Sequence, residues 1–217
     1  MDSRPRITAI EERPGDYRVR VSTLPEPLLV PAELVFLYRL TAGVVITTAQ
    51  LNQLISESER KRCERETARL LSVREHAAGE LQAKLKRKGF DARTITTAVE
   101  KFAGQGLVDD ARLAMSLARR TLQQKPAGQS YLVATLRRKM IERTLAERVV
   151  GELLEGVDLT DGAIRALRQK WPNPDQIDVE SIRSKAYSYL SRRGFGFETA
   201  RAAFTQLFGT AGKVDTD

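Results

Sequence analysis

The sequence predicts a mainly α-helical protein: three tandem three-helix, helix-turn-helix-like repeats forming an elongated curved body, with a small β-containing head at the N-terminus. Three observations carry this. From about Glu66 to Gly209 the apolar residues keep helical spacing. Within that stretch the windows Leu81–Ala103, Leu132–Leu154 and Ala186–Phe208 align without gaps, at successive offsets of 51 and 54 residues. The first third lacks this pattern and shows a period of two instead.

In the head, Tyr17, Val19 and Val21 alternate with Arg18 and Arg20, as in a half-buried strand. Ile7 to Glu11 supplies a partner strand across the turn Arg13-Pro14-Gly15-Asp16, and Leu28-Leu29-Val30 a third short one. Pro31 suits the first position of a helix from Ala32 to Leu40, with Gly43 as its stop. Thr47 and Gln50 match a capping box, so a long charged helix starts there. Its stretch Glu57 to Glu66 alternates in sign and reads as a solvated face with i,i+4 pairs.

Within the aligned windows, Leu85, Leu136 and Leu190 coincide, followed by Phe90, Ile141 and Phe195. Val99, Val150 and Phe204 form another column, and Phe102, Leu153 and Leu207 the last. Between the first two columns lies a basic pair: Arg87-Lys88, Arg138-Lys139 and Arg192-Arg193. Gly89 and Gly194 end their helices in the left-handed conformation of a C-terminal cap. Met140 stands at the equivalent place in the second window, so that turn differs or is strained. Asp91 caps the next helix of the first window. A further helix precedes each pair. Asp109-Asp110 opens one, to about Gln124, and Thr160-Asp161 opens another, to about Lys170. Ahead of the first pair, Ser72 and Glu75 match a capping box that starts a helix at Val73, whereas the repeat favours a break at Arg74–Ala77.

The expected divisions are a head over 1–46, the charged helix over 47–65, repeats over 66–109, 110–157 and 158–209, and a disordered tail over 210–217. The head, with its different composition, is expected to be separable from the repeats.

The chain of 217 residues is 41% hydrophobic, enough for a packed core, and contains no apolar run long enough to span a membrane. No secretory leader pattern opens it, so a cytoplasmic location is expected. Cys63 and His76 are the sole cysteine and histidine. They cannot make a disulfide, a usual zinc site or a nucleophile–histidine centre, so no metal, no cofactor and no enzymatic activity are expected. The net charge of +8 favours polyanions and acidic surfaces.

The candidate contact residues are the basic turns. They comprise Lys84, Lys86, Arg87, Lys88 and Arg93 in the first, Arg137, Arg138 and Lys139 in the second, and Arg192 and Arg193 in the third. Their equivalent places in the repeats predict one basic edge for a protein partner or DNA phosphates. Cations at helix C-termini also complement the helix dipole, and the two roles are compatible. Asp109-Asp110 reads as a helix cap rather than a carboxylate pair for chemistry.

These residues resemble the bacterial RecX family of RecA regulators. The resemblance runs from about Ala68 to Phe208. It rests on Arg74-Glu75-His76-Ala77-Ala78-Gly79-Glu80-Leu81 leading to Leu85-Lys86-Arg87-Lys88-Gly89-Phe90. It continues with Gly106-Leu107-Val108-Asp109-Asp110-Ala111-Arg112-Leu113-Ala114, Lys125-Pro126-Ala127-Gly128 and Tyr189-Leu190-Ser191-Arg192-Arg193-Gly194-Phe195. Leu113 replaces the family's usual aromatic and Met140 its usual glycine. The resemblance implies a modulator, mainly an inhibitor, that binds in the groove of the RecA–DNA filament. There it restrains ATP hydrolysis, strand exchange and SOS repressor cleavage. The implied partner is that filament, with weak non-specific contact to DNA, no membrane, and a monomeric state. The competing reading is a direct DNA- or RNA-binding helical module. That reading calls for Asn or Gln beside Arg on an exposed helix, which the basic turns lack.

Overall fold

Asp16 and Gly15 close the first hairpin, Gly15 with a φ of +78°. The strands β1 (Ile7–Arg13), β2 (Asp16–Val21) and β3 (Leu28–Pro31) form an antiparallel sheet in that order. Ile10 pairs with Val19 and Tyr17 with Val30, and a bulge between Ile7 and Ala9 shifts the register. The alternation in β2 has its expected consequence: Val19 and Val21 are buried and Arg20 is exposed. Helix α1 (Ala32–Leu37) stops earlier than Leu40, because Arg39 takes a left-handed φ of 48°. This computed structural model describes residues 4–209; the expected disordered tail, 210–217, lies outside the described residues.

Helix α2 (Thr48–Val73) begins with both bonds of the capping box, Gln50 N–H to Thr47 and Thr47 N–H to the Gln50 side chain. It ends at Arg74, so the break falls where the repeat places it. The Ser72 hydroxyl bonds back to the Arg69 carbonyl instead of starting a new helix. The first turns of α2 are part of the head: Leu51 and Leu54 are buried in one core with Ile7, Val19, Val30 and Leu34. A cut at residue 46 would therefore take the sheet away from these leucines. The stretch Glu57–Glu66 is not simply a solvated face. Lys61 pairs with Glu33 at 3.1 Å and Arg65 with Asp16 at 2.6 Å, both toward the head. Toward the first repeat, Glu64 pairs with Lys101 at 2.6 Å and Glu66 with Lys88 at 3.3 Å. Burial works to raise the Glu64 carboxyl, but Lys101 and Arg60 outweigh it and hold the group below its ordinary value. Cys63 is fully buried on the same helix, and burial pushes its thiol up to about 11.

The repeats follow as α3 (Ala78–Arg87) and α4 (Ala92–Gly104), then α5 (Asp110–Gln124), α6 (Gln129–Arg138) and α7 (Arg143–Leu154). The last are α8 (Thr160–Lys170), α9 (Val179–Arg192) and α10 (Phe197–Phe208), with a 3-10 turn at Pro174–Gln176 between α8 and α9. No helix among the described residues is long and apolar enough to cross a membrane. The chain divides into two compact units. One holds the described residues through His76 together with Leu81–Val108; the other holds Ala77–Glu80 and the described residues from Asp109 on. In the second unit, α5, α6 and α7 enclose Leu132, Leu136, Ile141 and Val150. There also α8, α9 and α10 enclose Leu167, Leu190, Phe195 and Phe204.

All three helix pairs turn by the same device. Gly89, Met140 and Gly194 have φ of 89°, 61° and 83°. In each turn this residue donates its N–H to the carbonyl three back: Lys86, Arg137 and Ser191. The next residue donates to the carbonyl five back: Phe90 to Leu85, Ile141 to Leu136 and Phe195 to Leu190. These are the two bonds of a Schellman cap, and its apolar contact is the pair of columns that repeats in the sequence. Met140 therefore keeps the common geometry and bears the strain.

Within the second unit the turns also receive a neighbouring helix. Gly128 and Ser130, at the start of α6, donate their N–H groups to the carbonyls of Arg193 and Gly194, at 2.8 and 3.4 Å. A Cβ on Gly128 would lie 2.2 Å from the Gly194 oxygen, and one on Gly194 would lie 2.2 Å from the Tyr131 nitrogen. Gly79 meets the Met140 carbonyl in the same manner, at 2.6 Å for an added Cβ. Gly128→Ala is expected to destabilise the second unit by about 2–3 kcal/mol, in the range of overpacking. Met140→Gly should be neutral or stabilise by up to about 1 kcal/mol, since it relieves a left-handed side chain at some entropic cost. Urea unfolding of the two variants beside the parent measures both; a neutral Gly128→Ala would show that the joint is loose.

Candidate partner-binding surface

A helix C-terminus carries unpaired carbonyls and a partial negative charge, so cations gather there without crowding. Each basic pair occupies the last helical position and the cap. Arg87-Lys88 follow α3, Arg138-Lys139 follow α6, and Arg192-Arg193 follow α9. The left-handed residue comes next and turns the chain, and of the three pairs all but Arg193 are exposed. Lys86, Arg87, Arg137, Lys139 and Arg192 are exposed and form no ion pair among the described residues. Arg93 is exposed at the start of α4, beside a shallow concavity shared with Asn52, Glu59 and Arg60.

The other predicted contact residues are engaged. Lys84 lies 2.7 Å from His76 Nε2, whose ring places Nδ1 2.9 Å from the Arg74 carbonyl. A proton on Nδ1 satisfies both contacts and fixes the interhelical turn before α3. Lys88 is tied to Glu66. Arg138 donates to the Thr135 hydroxyl at 3.0 Å and lies 5.8 Å from the centre of the Tyr131 ring. Lys125 also bonds the Tyr131 hydroxyl, and with Arg138 it holds that phenol below its ordinary pKa. Arg193 faces inward: it donates to the Pro126 carbonyl at 3.2 Å and to the Tyr189 hydroxyl at 3.0 Å, with its guanidinium 5.3 Å from that ring. It therefore braces the Gly128–Gly194 joint. Trp171 packs edge-on against Tyr189 at 5.8 Å and anchors the loop that follows α8.

The acidic residues near the turns are caps. Asp91 accepts from Thr94 N–H and Glu142 from Leu145 N–H, while Gly196 holds the equivalent place in the third turn. Asp109 caps α5 through Arg112 N–H, and Asp110 accepts from Ala78 N–H at the start of α3. The second of these bonds is invisible in sequence. No group of three His, Cys, Asp or Glu side chains suited to a metal occurs among the described residues. Arg143, a basic residue of the second turn in the sequence as well, borders a hollow there with Arg137 and Arg138. One basic feature escaped the sequence reading: Arg112, Arg119 and Arg120 border a concavity on α5. The spacing of the three arginines on one helix was the available signal.

The family model described as "RecX, first three-helix domain" matches residues 67–102, which cover the end of α2, α3 and most of α4. "Regulatory protein RecX" of Pelodictyon phaeoclathratiforme is 32% identical over 139 residues, 64% of this chain and 84% of that protein. The chain belongs to the RecX family. The regulatory protein RecX of Chlorobaculum tepidum is 33% identical over 145 residues, 65% of this chain and 85% of that relative. Two solved RecX-family structures share the fold at 18% identity. One, a regulatory protein RecX, aligns with a TM-score of 0.65 over 95% of this chain and 99% of its own. The other, from Lactobacillus salivarius, aligns at 0.61 over 69% of this chain and 96% of its own. The coverage of the first leaves no room for the whole head to lie outside the match.

Asp91 is held near 2 by the Thr94 hydroxyl and N–H, and Glu142 near 2 by the Thr144 hydroxyl and the N–H groups of its helix. Both values are depressed on folding, so the stabilisation is complete above the unfolded values of about 4. It is lost as pH falls from there through about 2. NMR titration of the two carboxyls should give midpoints near 2; midpoints near 4 would mean that the caps are open. Arg193→Ala should lower stability by about 1–2 kcal/mol by leaving the Pro126 carbonyl and Tyr189 hydroxyl unpaired, whereas Arg192→Ala should stay within about 0.5 kcal/mol. Thermal melts of the two variants decide this.

Proposed function

We propose that this protein modulates RecA, mainly as an inhibitor, by binding in the groove of the RecA–DNA filament and restraining ATP hydrolysis, strand exchange and SOS repressor cleavage. Membership of the RecX family supports a regulatory role. The observation that carries the contact is structural: exposed cations recur at one position of three equivalent Schellman turns. A repeated surface element suits a partner whose own surface repeats. The protein acts by binding, through cationic groups at the turns and beside shallow hollows. The partner is the filament, with weak non-specific contact to DNA, and the protein acts as a monomer in the cytoplasm.

Lys86→Ala/Arg87→Ala, Arg137→Ala/Lys139→Ala and Arg192→Ala should each keep the parent's melting temperature. Each should weaken cosedimentation with RecA–DNA filaments by up to about tenfold, or about 1.4 kcal/mol. The parent should slow ATP hydrolysis by preformed filaments, and the variants should do so less. A parent that leaves hydrolysis unchanged at saturation would overturn the reading. If the variants lose affinity equally for bare DNA, with a salt slope flattened by about 0.9 per lost contact, the turns bind phosphates directly.

A further inference from the structure

One concavity joins two repeats of the second unit. Its floor is uncharged: Val133 and Ala134 of α6, with Phe195 of the α9–α10 turn. Its rim carries Arg137 and Arg138 at the end of α6 and Arg143 at the start of α7. Of these three, only Arg143 has a carboxylate partner among the described residues, Glu147 at 2.7 Å. Ala134 is exposed and Val133 half-buried, although both lie on a helix whose other face is fully packed. Phe195 belongs to the turn whose Arg193 and Gly194 carbonyls accept the N–H groups of Gly128 and Ser130 at the start of α6, which ties the two sides of the groove together.

We infer that this groove is the docking site for an acidic segment of the protein partner, one that places an apolar side chain on Val133 and Ala134 and its carboxylates on the arginine rim. The inference rests on the proposed filament reading and adds the chemistry of the contact. One feature favours a protein segment over nucleic acid: a phosphodiester backbone gains nothing from the apolar side chains of the floor, whereas an apolar side chain of a peptide does. The carboxylate geometry matches planar guanidinium groups, which bind it through paired hydrogen bonds.

The test uses the full chain and two kinds of variant. Ala134→Trp fills the floor and leaves every charge in place. Arg137→Gln/Arg143→Gln removes charge and leaves the floor open. Both are first compared with the parent by thermal melting. Binding to RecA–DNA filaments and to bare single-stranded DNA is then measured. Ala134→Trp should lower filament affinity at least tenfold with bare-DNA affinity unchanged, and the double arginine variant should lower filament affinity as well. A photoreactive benzoylphenylalanine at position 134 should cross-link to RecA, in a peptide rich in Asp and Glu. Full filament affinity in Ala134→Trp, or cross-linking to DNA instead, overturns the groove assignment while leaving filament binding by the parent intact. Failure of the parent to bind filaments at all removes the filament reading and this inference with it.

Discussion

Three residues with positive φ set the shape of the helical part of this molecule. At Gly89, Met140 and Gly194 the backbone enters the left-handed region, and the same two hydrogen bonds close each turn. Everything near the turn follows from that geometry. The residue after it turns toward the core: Ile141 and Phe195 are buried with Leu136 and Leu190, and Phe90 is half-buried. The residues before it end a helix whose inner face is already packed, so all but Arg193 of the three basic pairs face outward. Cations there answer the helix dipole, worth a few tenths to about 1 kcal/mol each, and the same outward placement makes them available to a partner. Structural and binding roles are therefore compatible consequences of one turn.

The turn also explains why the second and third repeats hold together. A helix N-terminus has unpaired N–H groups and a helix C-terminus unpaired carbonyls. Here the start of α6 is set against the end of α9, so each supplies what the other lacks. Close approach of the two backbones requires that neither Gly128 nor Gly194 carry a Cβ. Arg193 adds a bond to Pro126 across the same joint. The second turn meets Gly79 through the Met140 carbonyl, and there the flexible partner is the glycine and the strained one the methionine. Strain of about 1–2 kcal/mol at a non-glycine residue persists only where surrounding contacts over-determine the conformation. The Schellman bonds of Met140 and Ile141 and the packing of Gly79 supply those contacts.

Local chemistry was legible in the sequence; long-range chemistry was not. The capping box at Thr47 and Gln50, the Asp91 and Asp109 caps and the special character of Met140 all depend on residues within a few positions of each other. The apolar columns depend only on helix phase. By contrast, the alternating charges of Glu57–Glu66 look like i,i+4 pairs and include one, Arg60–Glu64, yet Lys61, Arg65 and Glu64 also find Glu33, Asp16 and Lys101. Those partners become neighbours only after the chain folds back on α2. Arg192 and Arg193 are adjacent and chemically identical, and only the joint with Pro126 separates an exposed cation from a brace. Lys84 and Lys86 divide similarly, because His76 stands beside one of them. The extent of the head was readable: Leu51, Leu54 and Ile55 form an apolar stripe at helical spacing, which the change in composition at residue 46 obscured.

The charge of the turns is not cancelled by their own acids. Asp91 and Glu142 spend their acceptor capacity on backbone N–H groups, and the third turn has Gly196 in their place. A single exposed cation in water contributes little to binding, about 0–1 kcal/mol once entropy and screening act. Several such contacts on one rigid body behave differently. After the first forms, each further contact becomes intramolecular and its affinity multiplies through effective concentration. The second and third turns are fixed to each other by the Gly128–Gly194 joint, so they can gain in this way only from a target that presents complementary groups at matching separation. A free partner subunit offers such groups once, whereas an ordered assembly offers them repeatedly and in register. Individually weak, geometrically fixed contacts thus discriminate an assembled partner from its separate subunits better than one strong contact would.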